Sequence, residues 1–169
     1  MNYSKIIPFD IANGPGWRVS LFVSGCRRRC KGCFNQEAWN FEYGEKFTWE
    51  TVHEIERLVN NPNVDGLSIL GGDPFEPENQ EWVETLCAYI KHNCPGKTIW
   101  VWTGYSFEDL KELPVMNYID VLVDGKFEED LKDLRLKYRG SSNQRVIDIQ
   151  KSLASEDRDA VRWDFEETR

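Results

Sequence analysis

The chain has 169 residues, of which 40% are hydrophobic and 30% are charged. This length predicts a single domain and excludes a complete (β/α)₈ barrel, which needs about 200 residues or more. The composition favours a compact soluble domain, and the net charge of −8 makes nucleic acid a poor partner.

The amino terminus lacks the pattern of a signal peptide, and no apolar run approaches the roughly 20 residues that a membrane span requires. We therefore expect a cytoplasmic protein with neither a membrane nor a nucleic acid as partner. Cytoplasmic thiols are kept reduced, so the five cysteines are not expected to form a disulfide framework.

The first half of the chain alternates strand and helix signals. Residues 17–23 are rich in β-branched and aromatic side chains and predict a strand. Apolar residues at helical spacing follow Thr48 and predict a helix that ends near residue 59. Residues 67–70 predict a second strand, which leads into a glycine loop, and residues 82–90 predict the next amphipathic helix.

The alternation continues in the second half. Residues 98–103, 118–123 and 144–149 predict strands, while Ser106 opens a short helix and residues 127–136 predict another. Because parallel strands need crossover connections, this order predicts an α/β fold, an open partial (β/α) barrel of about five to six mostly parallel strands. We assign it residues 1–150, and residues 151–169 form a polar carboxyl-terminal extension.

Ligands of such sheets bind at the carboxyl ends of the strands. Three thiols fall at the first of these ends, in the spacing Cys26-x₃-Cys30-x₂-Cys33. On one short loop they are suited to hold three irons of a cubic iron–sulfur cluster and to leave the fourth iron open. Cys87 and Cys94 lie on or just after a helix and are interpreted as ordinary thiols.

Three other interpretations of the cysteine loop fit its residues less well. A structural zinc site needs a fourth ligand, and neither His53 nor His92 has the spacing to supply it. A redox CxxC pair leaves Cys26 unexplained. Buried thiols do not suit a loop interleaved with basic residues. Those residues, 27–29 and 31, are either a docking patch or a solvated loop.

The second strand ends in Gly71-Gly72-Asp73-Pro74. The two glycines let the backbone approach a ligand closely, and Asp73 offers a carboxylate that can pair with an ammonium group. Trp100 and Trp102 alternate on a strand, so they share one face and are interpreted as core residues.

Taken together, these segments resemble the radical S-adenosylmethionine enzymes and, within them, the family that activates anaerobic (class III) ribonucleotide reductase. The segments that carry the resemblance are 10–16 (DIANGPG), 25–35 (GCRRRCKGCFN), 39–40 (WN), 71–74 (GGDP), 100–105 (WVWTGY), 123–127 (VDGKF) and 139–146 (RGSSNQRV). Asp73 stands where the wider superfamily often has Glu, and Lys31 replaces a common proline.

The resemblance implies a partial barrel of the radical S-adenosylmethionine type and two cofactors, one [4Fe–4S] cluster and S-adenosylmethionine. The cluster ligands would be Cys26, Cys30 and Cys33. The implied cofactor contacts are Gly32, Cys33 and Phe34 at the adenosine end and Gly71, Gly72 and Asp73 at the methionyl ammonium. Asp124 either reaches the ribose or only forms a turn with Gly125. No side chain is assigned as catalytic, because the chemistry is centred on the cofactor.

The implied reaction is reductive cleavage of S-adenosylmethionine to a 5′-deoxyadenosyl radical, which takes a hydrogen atom from a glycine of the reductase. The implied partners are therefore the anaerobic ribonucleoside-triphosphate reductase and a one-electron donor such as flavodoxin. Two alternatives stay open. One is a radical enzyme that acts on another glycyl-radical enzyme or on a small molecule, and the other is a zinc-stabilised interaction module.

Overall fold

The computed structural model describes residues 1–166, in which eight strands and four α-helices occur. The strands are β1 (Asn2–Asp10), β2 (Arg18–Val23), β3 (Glu45–Lys46), β4 (Gly66–Gly71), β5 (Thr98–Trp102), β6 (Val121–Asp124), β7 (Arg145–Asp148) and β8 (Val161–Arg162). The helices are α1 (Trp49–Val59), α2 (Pro77–Asn93), α3 (Phe107–Leu110) and α4 (Ile149–Ala154). In the part of the chain that is described, no helix is long and apolar enough to cross a membrane.

All eight strands form one sheet in the order β3-β1-β2-β4-β5-β6-β7-β8. The neighbours β2, β4, β5 and β6 run parallel, whereas the pairs at both flanks are antiparallel. The predicted open partial (β/α) barrel of five to six mostly parallel strands is therefore wrong, since four of the seven strand pairs in this mixed sheet are antiparallel.

The error has a physical cause, because a strand's local pattern does not encode the direction of its neighbour. Only parallel pairs require a crossover connection, so an alternation of strands and helices predicts the central strands better than the flanks. The flanking strand β1 was not predicted at all, and β7 was predicted as a further parallel strand.

The predicted helix over residues 127–136 is also wrong. Only a short 3-10 helix forms there, over Glu129–Leu131. The apolar residues that suggested the helix find no core to pack on, since Leu131 is 40% exposed and Leu134 is 89% exposed. This irregular segment joins β6 to β7 and becomes one wall of the cavity described below.

The sheet packs on both faces. On one face, alternate residues of the central strands, including Leu21, Ile69 and Val101, pack under α1 and α2 in the main core. On the other face a smaller cluster surrounds the fully buried Trp100, whose ring stands 4.8 Å from that of Trp163 in an edge-on arrangement. Trp100 is thus a core residue, as predicted.

The predicted extension over residues 151–169 takes part in this packing where it is described. Helix α4 begins at Ile149 and so spans the predicted boundary at residue 150, and β8 pairs with β7. The domain boundary at residue 150 stays a prediction, and residues 167–169 lie outside the described part of the chain.

A buried arginine joins the amino ends of the central strands, opposite the cavity. Arg18 donates hydrogen bonds to Ser68 Oγ at 2.6 Å and to the carbonyl oxygens of Leu67 and Thr98 at 2.8 and 3.0 Å. Burial lowers the pKa of Arg18 to about 10. This network fixes β2, β4 and β5 relative to one another, and therefore fixes the loops at their other ends.

Candidate functional site

An open cavity of about 540 Å³ lies at the carboxyl ends of β2, β4 and β5. Parallel neighbours end at the same edge of a sheet, which is why the loops after these three strands meet there. The cavity is lined by all of the predicted site residues except Asp124, that is, by Cys26, Cys30, Gly32, Cys33, Phe34, Gly71, Gly72 and Asp73.

The three cysteines of the loop after β2 are free thiols and half-buried. The loop is held by backbone hydrogen bonds from Gly25 N to Ala38 O at 2.7 Å and from Cys26 N to Trp39 O at 3.3 Å. Gly25 adopts φ +98°, and a Cβ at this position would overlap the ring of Phe41. A left-handed glycine thus lets the chain turn out of β2 and carry the thiols into the cavity.

The cysteines of the loop and the other two cysteines lie in different surroundings. Burial raises the pKa of Cys26 to about 11, an effect that the backbone N–H of Arg28 partly opposes. The free Cys26 thiol therefore keeps its proton, which a bound metal ion would have to displace. Neither histidine lines the cavity, and Cys87 and Cys94 are buried in the main core.

Within residues 1–166, no three His, Cys, Asp or Glu side chains are gathered as ligands of a single metal ion. The three thiols line the wall of one larger cavity instead. Three cysteine donors on one loop fit the three protein-held corners of a [4Fe–4S] cluster.

The arginines between the cysteines are mostly anchored. Arg27 donates through its backbone N–H and its Nη1 to the buried carboxylate of Glu76, at 2.7 and 2.8 Å. Its guanidinium also lies 4.4 Å from the ring of Phe41, and that of Arg28 lies 4.0 Å from the ring of Tyr105. Such contacts stabilise a cation over an aromatic face, so these two arginines fix the cysteine loop.

The glycine loop after β4 runs against the cysteine loop. A Cβ on Gly72 would stand 2.5 Å from the carbonyl oxygen of Gly25, and one on Gly71, at φ +114°, would stand 2.5 Å from that of Val23. Asp73 N donates to Gly25 O at 2.8 Å. Glycine is needed here for close approach between two backbones.

Asp73 is 1% exposed. Its Oδ1 accepts from Phe75 N at 3.0 Å and from Thr103 Oγ1 at 2.8 Å, and its Oδ2 accepts from Gly104 N at 2.9 Å. Arg28 Nε stands 3.8 Å from Oδ2, too far for a hydrogen bond. A carboxylate oxygen can accept about two hydrogen bonds, and among residues 1–166 Oδ2 accepts one. Burial raises the pKa of Asp73, so a second cation would stabilise its charged form.

Asp124 is placed elsewhere. Its carboxylate is also 1% exposed, but it does not line the cavity. It accepts from Phe107 N at 2.7 Å and from Arg145 Nε at 2.9 Å. The structure therefore places Asp124 in a buried ion pair that joins the ends of β6 and β7 to α3.

The irregular segment between β6 and β7 supplies cavity residues that the sequence analysis did not assign. Its contribution includes Phe127, Leu134, Tyr138 and Arg139. Tyr138 adopts φ +62°, an unusual value for a tyrosine, and its carbonyl accepts from Trp102 Nε1 at 2.6 Å. Trp102 itself lines the cavity, although it was predicted as core.

Gln144, in the segment 139–146, holds another part of this wall. Gln144 accepts from the backbone N–H groups of Gly140 and Ser141 and donates to the carbonyl of Gly125, at 2.9 Å. The segment 139–146 thus shapes the turn beside the cavity, a role that its sequence pattern alone did not reveal.

Comparison with known proteins agrees with the cysteine geometry. Residues 12–147 match the model of the family described as 4Fe-4S single cluster domain. Three relatives bear the name anaerobic ribonucleoside-triphosphate reductase-activating protein. The one from Enterobacteria phage T4 is 47% identical over 146 residues, which cover 86% of this chain and 93% of the relative. Those from Escherichia coli K12 and Vibrio cholerae are 47% and 45% identical over 150 residues, which cover 86% of this chain and 97% of each relative.

Proposed function

The chain belongs to the family of the anaerobic ribonucleoside-triphosphate reductase-activating proteins, and from this premise we propose that it generates the glycyl radical of such a reductase. The observation that carries the proposal is the position of Cys26, Cys30 and Cys33, which line one cavity together with the glycine loop of β4.

In this proposal the three thiolates hold a [4Fe–4S] cluster, and the cavity beside them takes S-adenosylmethionine. A cluster held there would supply the electron for cleavage of S-adenosylmethionine to methionine and a 5′-deoxyadenosyl radical. Transfer of a hydrogen atom from a glycine of the reductase to this radical would give 5′-deoxyadenosine and the glycyl radical. A one-electron donor such as flavodoxin supplies the electron.

The chain's own residues position these groups. Glu76 holds the cysteine loop through Arg27. Asp73 offers Oδ2 to the methionyl ammonium, and charge-assisted hydrogen bonds of this kind are stronger than neutral ones. Gly32 and Phe34 border the mouth of the cavity and would flank the adenosine. Asp124 is buried in its ion pair with Arg145. The predicted contact with the ribose requires that this ion pair open.

The test begins with anaerobic reconstitution of the full chain with iron and sulfide. We expect about four irons per chain, a brown protein, and a glycyl radical signal in electron paramagnetic resonance after addition of the reductase, S-adenosylmethionine and a reductant. Replacement of Cys26, Cys30 or Cys33 by alanine should abolish cluster loading and the signal.

Cys94→Ala is the matched control, because Cys94 is buried in the main core away from the cavity. It should load iron as the unmodified chain does. A chain that binds zinc and no iron would establish the interaction module instead. A chain that cleaves S-adenosylmethionine but raises no signal on the reductase would act on another substrate, and either result rejects the proposal.

A further inference from the structure

The charge around the cavity is opposite in sign to that of the rest of the chain. We define the cavity rim as residues 26–34 and 125–140, most of which line the cavity or flank lining residues. The rim holds nine basic and four acidic residues and has a net charge of +5, so the remainder of the chain carries −13. These two segments therefore carry an excess of basic side chains on an otherwise anionic protein.

Part of this charge is not neutralised within the described chain. Lys31 pairs with Glu129, and Arg135 pairs with Asp133. Arg27 and Arg28 face the carboxylates of Glu76 and Asp73, which lie outside the rim. Within residues 1–166, no ion pair is formed by the rim residues Arg29, Lys126, Lys132 and Lys137, and all four are exposed. These four cations are available to a partner.

The rim also carries the two large hydrophobic side chains that are most exposed among the described residues. Phe34 is 90% exposed and Leu134 is 89% exposed, and both line the cavity. They come from the two opposite segments of the rim. Apolar side chains surrounded by polar and charged groups are typical anchors of protein interfaces.

We propose that the cavity rim docks the reductase through an acidic surface around the segment that carries its reactive glycine, with Phe34 and Leu134 as apolar anchors. This inference rests on the proposed function and adds to it the chemistry of the partner. A segment that enters the cavity must pass the rim, so acidic side chains on either side of it would face the four exposed cations. Electrostatic complementarity of this kind mainly raises the association rate and selects the partner.

A protein partner fits this surface better than nucleic acid does. The rim is small, and the remaining charge of −13 repels a phosphate backbone that extends beyond it. A protein can place its acidic residues against the rim alone and keep the rest of its surface away from the anionic remainder.

The test uses Lys126→Glu/Lys137→Glu, because neither lysine lines the cavity. The matched control is Lys46→Glu/Arg57→Glu, an equal change of charge at exposed positions on β3 and α1. Binding of each reconstituted protein to the anaerobic reductase of its own source is measured by surface plasmon resonance between 0.05 and about 0.3 M salt. We expect the rim variant to associate about tenfold more slowly at low salt, with a weaker salt dependence, and the control to change less than about twofold.

Leu134→Ala tests the apolar anchor and should raise the dissociation constant about fivefold, mainly through faster dissociation. Reductive cleavage of S-adenosylmethionine with dithionite, without the reductase, should be unchanged in the lysine variant. If the unmodified chain binds the reductase and the lysine variant binds equally well, the docking proposal is wrong while the proposed function stands. If the unmodified chain neither cleaves S-adenosylmethionine nor binds the reductase, the proposed function itself fails.

Two further outcomes also overturn the docking proposal. One is a lysine variant that binds the reductase normally but is reduced more slowly by flavodoxin, since the rim would then serve the electron donor. The other is tighter binding of a single-stranded oligonucleotide than of the reductase at 0.15 M salt, measured with the unmodified chain.

Discussion

Substitutions in the ion pair between Arg145 and Asp124 test whether Asp124 stabilises the fold or contacts S-adenosylmethionine. Arg145 donates to both carboxylate oxygens of Asp124, and Phe107 N is the other donor among the described residues. Arg145→Met leaves this buried carboxylate with one hydrogen bond. Removing one member of a buried ion pair costs about 3–5 kcal/mol. Because 26% of the Arg145 side chain is exposed, we expect a loss of about 2–3 kcal/mol in the free energy of unfolding.

The assay is urea unfolding followed by circular dichroism, with the loss calculated from the transition midpoint and slope. Glu108→Gln is the control, since Glu108 contacts the same guanidinium but is 53% exposed, and it should cost less than about 1 kcal/mol. Asp124→Asn should bind S-adenosylmethionine as the unmodified chain does. A stable Asp124→Asn variant whose affinity for S-adenosylmethionine falls tenfold would refute this reasoning and make Asp124 a ribose contact.

Three other substitutions test the glycine loop, the cluster around Trp100 and the anchor of the cysteine loop. Gly72→Ala should reduce the iron bound per chain by more than half, because its Cβ would stand 2.5 Å from Gly25 O. Gly96→Ala strains the backbone at φ +82° but has no atom within 4 Å of its Cβ and lies away from the cysteine loop, so it should load iron normally. Trp163→Ala should lower the free energy of unfolding by about 2–3 kcal/mol, and Trp163→Phe should recover most of that loss. Glu76→Gln should lower the free energy of unfolding by about 1–2 kcal/mol and speed amide hydrogen exchange in the cysteine loop, since an amide nitrogen replaces one of the two Glu76 oxygens that accept from Arg27. Normal exchange in that loop would show that Glu76 does not hold it.

The sequence predicted the central elements well, because their signals are local. The strand at Arg18–Val23 and the helix at Trp49–Val59 were predicted within one or two residues. Runs of β-branched residues indicate a strand, and helical periodicity indicates a helix, without information from other parts of the chain. The sequence failed at the flanks. Strand β1 is antiparallel to β2, and direction depends on the partner rather than on the strand itself.

The segment over residues 127–136 shows a second limit of local reasoning. Its apolar residues have helical spacing, but a helix needs a surface on which to bury them, and Leu134 has none. Only the assembled sheet shows that this segment forms a wall of the cavity and holds an apolar side chain at its mouth.

For the site, the sequence by itself predicted which residues would carry the chemistry. The spacing of Cys26, Cys30 and Cys33 predicts a cluster loop, and the glycines after β4 predict a close approach of the backbone, because ligand number and steric freedom are properties of residue types. The tertiary structure decided which of two similar carboxylates faces the cavity. Asp73 and Asp124 both lie at the ends of parallel strands and are both buried. Arg145 donates to both carboxylate oxygens of Asp124, whereas Oδ2 of Asp73 accepts one hydrogen bond among the described residues and lies beside the cysteine loop. That distinction depends on a partner 21 residues away in the chain, which no local pattern can show.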